Sequence, residues 1–338
     1  MNILKSIFGR KKETLSQEEA KVSQAKGEEK IIDRQEEKEA DVLKFDGLRA
    51  MRLGEVSFAL KALSKALELR PEFETRFYYA EALTLNHQER EALKQYDLLL
   101  EECPNHILCL INRASLRIDV EAYTEALMDV ELALNTNEDE EQRALLYQMK
   151  AKVYLLLKEY DKVLVTAEQA IMLKAKSSLA YLQKIQALVG LERWEEANRF
   201  IEKAISTFPE EEQFNLFQAK VALKQEQYAE AYQAYQDALV KDPFNEEAYC
   251  GMACLLVQRG EMTEAIDFLE QTLKEQNPSV MMLSLLASIY KKMGWVEKEQ
   301  KIREQIKEFS SDGEQPIDFV QQLYKGNAYG DIFGNLFS

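Results

Sequence analysis

A small residue returns to the same place about every 34 residues, and this period constrains the fold more than any other feature of the chain. Ala59, Ala92, Ala126, Ala197, Ala231 and Ala265 occupy the position, and Val163 and Glu299 fill its two remaining places. The steps are 33, 34, 37, 34, 34, 34 and 34 residues. Self-similarity at such a period marks a stack of like supersecondary units, none of which can bury its apolar face alone. Four further positions keep the register. Twelve residues upstream stand Gly47, Ala80, Ala114, Ala151, Ile185, Ala219, Ala253 and Ala287. Seven residues downstream stand Ala66, Leu99, Ala133, Ala170, Ala204, Ala238, Thr272 and Ile306. Pro71, Pro104, Pro209 and Pro243 lie twelve residues downstream, and Tyr123, Tyr160, Trp194 and Tyr228 three upstream.

The pattern has a packing reason. Two antiparallel helices approach closely only where side chains are small, so that a bulky residue of one fits beside a small residue of the other. Proline ends a helix because it lacks the N–H that would continue the ladder and restricts the residue before it. Glycine (12) and proline (6) are scarce in 338 residues, while Ala, Leu, Glu, Lys and Gln fill most windows. These side chains lose little rotamer freedom on a helix, so the chain is expected to be all-α.

The small, aromatic, alanine, alanine, proline succession resembles the tetratricopeptide repeat over about residues 40–313, roughly four-fifths of the chain. The resemblance implies an α-solenoid, a right-handed superhelix of about eight helix-turn-helix hairpins. Units are expected near 40–73, 73–106, 107–140, 144–177, 178–211, 212–245, 246–279 and 280–313. The three-residue excess between the third and fourth units falls in NTNEDEEQ and is read as a loop bulge. Glu299 departs from the pattern, so the eighth unit is read as a polar end cap, as stacked arrays need. Val163 and Ile185 are further departures.

The resemblance also implies a function: capturing a segment of another protein on a groove lined by the first helix of each hairpin. Carried over by register, the groove positions are Lys44, Leu48, Met51, Phe77, Glu81, Ile111, Ser115, Gln148, Lys152 and Leu155. In the later units they are Leu182, Gln186, Leu216, Lys220, Cys250, Cys254, Ser284 and Ser288. One sub-family holds acidic carboxyl termini with a lysine and asparagine clamp. The corresponding pairs here are Lys44 with Leu48, Gln148 with Lys152, and Leu216 with Lys220, so an acidic C-terminal peptide is not the expected ligand. An apolar or amphipathic segment, buried helix-in-groove, is.

Other function classes find little support. The net charge is −16, and the body of the chain has no basic stripe for phosphates, which argues against nucleic acid. No apolar run approaches the roughly 20 residues of a membrane span. MNILKSIFGRKK does not read as a secretory signal, and four cysteines in a chain this long point to a reducing, cytoplasmic setting. Cys103, His106 and Cys109 form a C-x2-H-x2-C run without the fourth ligand a structural zinc wants. Cys250 and Cys254 share a helix face as small residues, and no phosphate-cradling glycine loop occurs. No metal, cofactor or enzymatic activity is expected.

Two tails flank the repeats. Residues 1–12 place Ile3, Leu4, Ile7 and Phe8 on one helical stripe beside Lys5, Arg10, Lys11 and Lys12. Such a basic amphipathic tip suits an anionic membrane surface, each cation adding about 1 kcal/mol. It is therefore the candidate membrane contact, at the inner face of a membrane. Residues 13–39 read as a polar spacer, flexible or helical. Residues 314–338 read as a capping helix followed by an aromatic tail, with Tyr329, Ile332, Phe333, Leu336 and Phe337.

Overall fold

The computed structural model describes residues 35–173, 177–276 and 279–309. Among the described residues there are sixteen helices and no strand. In chain order they are α1 (residues 35–52), α2 (Val56–Leu69), α3 (Phe73–Leu85), α4 (Glu89–Glu102), α5 (Ile107–Asp119) and α6 (Tyr123–Thr136). There follow α7 (Glu140–Leu156), α8 (Tyr160–Met172), α9 (Leu179–Gly190), α10 (Trp194–Thr207) and α11 (Gln213–Lys224). The last are α12 (Tyr228–Lys241), α13 (Glu246–Gln258), α14 (Met262–Glu275), α15 (Val280–Lys292) and α16 (Val296–Phe309). They form eight pairs, an odd-numbered helix leading each even-numbered one across three turn residues. The chain divides into two compact units, the first ending at Val153 and the second beginning at Tyr154.

The periodic small residues are the most deeply buried in both units. Ala59, Ala92, Ala126, Val163, Ala197, Ala231 and Ala265 have no exposed surface, nor do Ala80, Ala114, Ala151, Ile185, Ala219 and Ala253. Bulky side chains fill the space around them. In the first unit Tyr96, Leu99, Leu110, Val130 and Leu146 share one core with Ala80, Ala92 and Ala114. In the second, Ile185 joins Ile201 and Phe214, while Tyr235 joins Ala219 and Met252. Each fully buried large side chain stabilises by about 1.5–3 kcal/mol. Glu299 is only partly covered and pairs with Arg303 on its own helix at 2.8 Å.

Every three-residue turn is built alike. Its last residue donates an N–H back five residues at 2.7–2.9 Å, as Ala122 does to the Arg117 carbonyl and Gln227 to that of Ala222. This bond closes a Schellman motif and satisfies a carbonyl that the helix end leaves orphaned. The middle residue then sits at positive φ: Gly54, His87, Glu121, Lys158, Glu192, Glu226, Gly260 and Gly294. Five of these eight positions carry a side chain that the left-handed region strains by roughly 1–2 kcal/mol. Replacing exposed Glu121 or Glu226 by glycine should therefore raise stability by about 0.5–1 kcal/mol, the relief exceeding glycine's entropic cost. Chemical denaturation tests this; an unchanged or lower midpoint would show that the turn carries no strain.

Residues 35–39, the end of the expected spacer, are helical and open α1. There Glu37 meets Arg70 at 2.6 Å, Glu39 meets Lys65 at 3.0 Å, and Ala40 is buried. The excess before unit four is no loop bulge: α7 has 17 residues where α3, α5, α13 and α15 have 13, and it starts about one turn early. Its added turn is anchored by Arg143, which donates to the Leu134 and Asn137 carbonyls at 2.6 and 2.9 Å and so caps α6. Asp139 accepts from the Gln142 N–H at 2.8 Å and caps α7 itself.

Candidate protein-interaction surface

In the first unit the leading helices of successive hairpins lie side by side and are joined by polar side chains. Lys44 on α1 donates to Glu74 on α3 at 3.1 Å. Asn112 on α5 donates to Glu81 on α3 at 3.3 Å, and Lys152 on α7 lies 4.0 Å from Asp119 on α5. Each contact joins positions three or four residues apart in register, and the leading helices so linked present a common face. Phe45, Leu108 and Leu145 stand out from it, 64, 48 and 43% exposed. Leu48, Tyr78 and Ile111 are half-buried around them. Acidic groups punctuate the apolar surface at Asp41, Glu74, Glu81 and Asp119.

The structure separates the expected groove residues into several kinds. Lys152, Ser115 and Gln186 are exposed, and Leu48, Met51, Glu81, Ile111 and Leu155 half-buried. Leu182 and Leu216 are core: both are buried, the first packed with Ile201 and Phe214 and the second with Tyr235 and Met252. Phe77 leans on the core around Tyr96, and its ring meets those of Tyr78, Tyr96 and His106 at 5.8–6.3 Å. Lys44, Gln148, Cys250 and Cys254 are likewise buried. Lys220 lies over the Phe217 ring at 4.8 Å and meets Glu247 at 3.2 Å. The Ser284 and Ser288 hydroxyls donate to carbonyls of their own helix, those of Val280 and Ser284.

The physical reason for the miss is rotation about the helix, since neighbouring residues point about 100° apart. Exposed leucines stand one turn before three of the expected positions: Leu108 before Ile111, Leu145 before Gln148, and Leu179 before Leu182. Phe45 stands in the same relation to Leu48. The signal that could have found them was a leucine six residues before the small position in three consecutive units: Leu108, Leu145 and Leu179.

Glu81 is the electrostatic singularity of this face. Its carboxylate is half-buried and accepts a single hydrogen bond, from Asn112, whose amide also donates to the Tyr96 hydroxyl at 3.2 Å. Among the described residues no cation is paired with it. Burial pushes its pKa above the usual carboxylate range, and the Asn112 hydrogen bond only partly opposes that. The raised value means that the ionised form costs the fold stability as pH rises through it, and protonation removes the cost. An external cation at this place would remove it too.

Family profiles for the tetratricopeptide repeat match residues 182–246 and 222–289. The chain carries tetratricopeptide repeats. A tetratricopeptide repeat protein of Parabacteroides merdae superposes with a TM-score of 0.58 at 17% identity, covering 74% of this chain and 98% of that one. The C-terminal part of a repeat protein from Cytophaga hutchinsonii gives 0.53 at 17% identity, covering 66% and 92%. At such identities the two likenesses speak for the fold alone: an all-α solenoid of tetratricopeptide hairpins. No curated protein matches the chain in sequence.

Within this repeat protein the cysteine and histidine positions serve the fold. His106 is the N-cap of α5, its Nδ1 accepting from the Cys109 N–H at 3.3 Å, and its ring lies 4.9 Å from that of Phe73. Cys109 is buried and its thiol is pushed up to about 12, chiefly by that burial. Cys103 is exposed on the far side of the turn. Burial raises the Cys250 and Cys254 thiols well above their ordinary value. No three His, Cys, Asp or Glu side chains converge as a metal site among the described residues, and no helix among them is long and apolar enough to cross a membrane. The candidate membrane contact, Ile3, Leu4, Lys5, Ile7, Phe8, Arg10, Lys11 and Lys12, lies outside the described residues, as does the tail 314–338.

Proposed function

We propose that this interaction scaffold works in the cytoplasm by capturing an apolar or amphipathic segment of a partner protein on the leading-helix face of its first unit. The observation that carries the reading is the exposure of Phe45, Leu108 and Leu145 on helices held in fixed register. A stacked frame orders such a face before the partner arrives, so little entropy is lost on the scaffold's side. The lysines of the leading helices are already engaged: Lys44 by Glu74, Glu72 and Asp41, Lys152 by Asp119, and Lys220 by Glu247. Free cations for an acidic carboxyl terminus are thus lacking on these positions.

The test compares quantitative affinity purifications. One variant carries Phe45→Asp, Leu108→Asp and Leu145→Asp; a control carries Phe58→Asp, Leu98→Asp and Met128→Asp on the second helices, where apolar side chains are equally exposed. Co-purifying partners should fall at least about ten-fold with the first variant only, a loss of about 1.4 kcal/mol. Equal losses in both, or none in the first, would refute the reading. A synthetic peptide ending in an acidic carboxyl terminus should not bind the intact chain at micromolar concentration, about −8 kcal/mol.

A further inference from the structure

A half-buried carboxylate without a cation, set within an apolar face, describes its own ligand: a positive side chain carried between apolar ones. Glu81 is flanked by Tyr78 and faces α5 through Asn112, with Glu74 one column away and Asp119 at the end of α5. Burying such a carboxylate costs less once a cation and its hydrogen bonds arrive with the ligand. Resting on the function proposed above, we propose that residues 1–12 of this same chain occupy the leading-helix face of the first unit, with a cation of that segment on Glu81.

The match is one of charge and of pattern. The segment MNILKSIFGRKK carries Lys5 inside its apolar stripe and three further cations after it, while the face offers Glu81 without a cation, and Asp41, Glu74 and Asp119 shared with Lys44 or Lys152, among apolar side chains. Distance permits it. The 22 residues from 13 to 34 span about 33 Å if helical and over about 70 Å if extended. Neighbouring packed helices are only about 8–10 Å apart. Tethering raises the local concentration of the segment to the order of 1 mM, so a free-peptide Kd of about 1 mM already half-fills the face. The segment then competes with a partner for the same surface, and a partner must displace it.

The experiment uses the full chain and a zero-length carbodiimide, which joins a lysine amine to a carboxylate in direct contact. Cross-links from Lys5, Lys11 or Lys12 to Glu74, Glu81 or Asp119 are expected, with a yield independent of protein concentration. Two variants separate docking from chance proximity: Ile7→Asp with Phe8→Asp, which keeps every lysine, and Glu81→Gln, which keeps the other carboxylates. Each should lower the cross-links to Glu74 and Asp119 at least about five-fold. Absent cross-links, a yield left unchanged by either variant, or yields that rise with concentration would overturn the proposal. So would pelleting on phosphatidylserine vesicles that requires residues 1–12 while Glu81→Gln changes nothing. Any of these failures leaves the Phe45, Leu108 and Leu145 comparison to stand or fall on its own result.

Discussion

Replacing Asp129 by alanine should destabilise the first unit by about 3–5 kcal/mol, the largest single effect expected of a polar side chain here. The Asp129 side chain is 4% exposed and receives both guanidinium groups of the helix it faces. Arg113 donates to it through Nε at 3.0 Å and Nη2 at 2.6 Å, and Arg117 through Nη1 at 2.5 Å. Arg113 also reaches Asp97 on α4 at 2.7 Å, so one network ties α4, α5 and α6. The Arg113 and Arg117 side chains are themselves only 15 and 20% exposed. Without Asp129 they would keep their desolvation cost and lose their counter-charge. Asp129→Asn should fall between, keeping the size and losing the charge.

A control decides between a lost ion pair and a lost shape. Asp129→Leu combined with Arg113→Met and Arg117→Met removes all three charges together and should be near neutral, or even stabilising, because no charge is left buried. Denaturant midpoints give the energies, and amide exchange in α5 and α6 should report the loss locally. A cost under about 1 kcal/mol for Asp129→Ala would show that water replaces the carboxylate freely.

The second large effect reverses a local rule. Gly251 lies inside α13, where alanine would ordinarily gain about 1 kcal/mol in helix propensity. A Cβ there would stand 2.2 Å from Cζ of Tyr235 and 2.6 Å from both Cε atoms. Tyr235 is 1% exposed within its core, so its ring has nowhere to withdraw. Overpacking of this kind typically costs about 1–3 kcal/mol, and a clash this close to a trapped ring belongs at the upper end. Gly251→Ala should therefore lower stability by about 1–2 kcal/mol net. In a Tyr235→Leu background the same change should be harmless, giving a coupling energy above about 1 kcal/mol. Additive effects would show that the ring moves aside. Gly190, whose Cβ would meet Cζ of Tyr160 at 2.5 Å, repeats the arrangement.

Gly251 illustrates where sequence reading stopped. It falls in none of the five periodic columns, and only the ring seated above it explains why glycine is there. The eight left-handed turn positions recur as regularly as the alanines, yet only three are glycine. That column was invisible because glutamate, lysine and histidine tolerate the conformation at a modest cost that the surrounding Schellman bonds override. The extra turn of α7 escaped for a similar reason: NTNEDEEQ looks like loop by composition, and what makes it helical is Arg143 reaching back to cap α6.

The amino-acid sequence by itself determined that helices pair at a 34-residue period, and which small residues they meet through, because close approach leaves room only for small side chains. It also marked the chain as a protein-binding repeat array. Which side of each leading helix is free was decided by the tertiary structure alone. Residues three apart on a helix still point about 60° apart, enough to put Leu182 in the core while Leu179 stays outside, as Leu108 and Leu145 do. The unpaired state of Glu81 was likewise settled only by its neighbours, since burial and the nearest cation are properties of the packed helices.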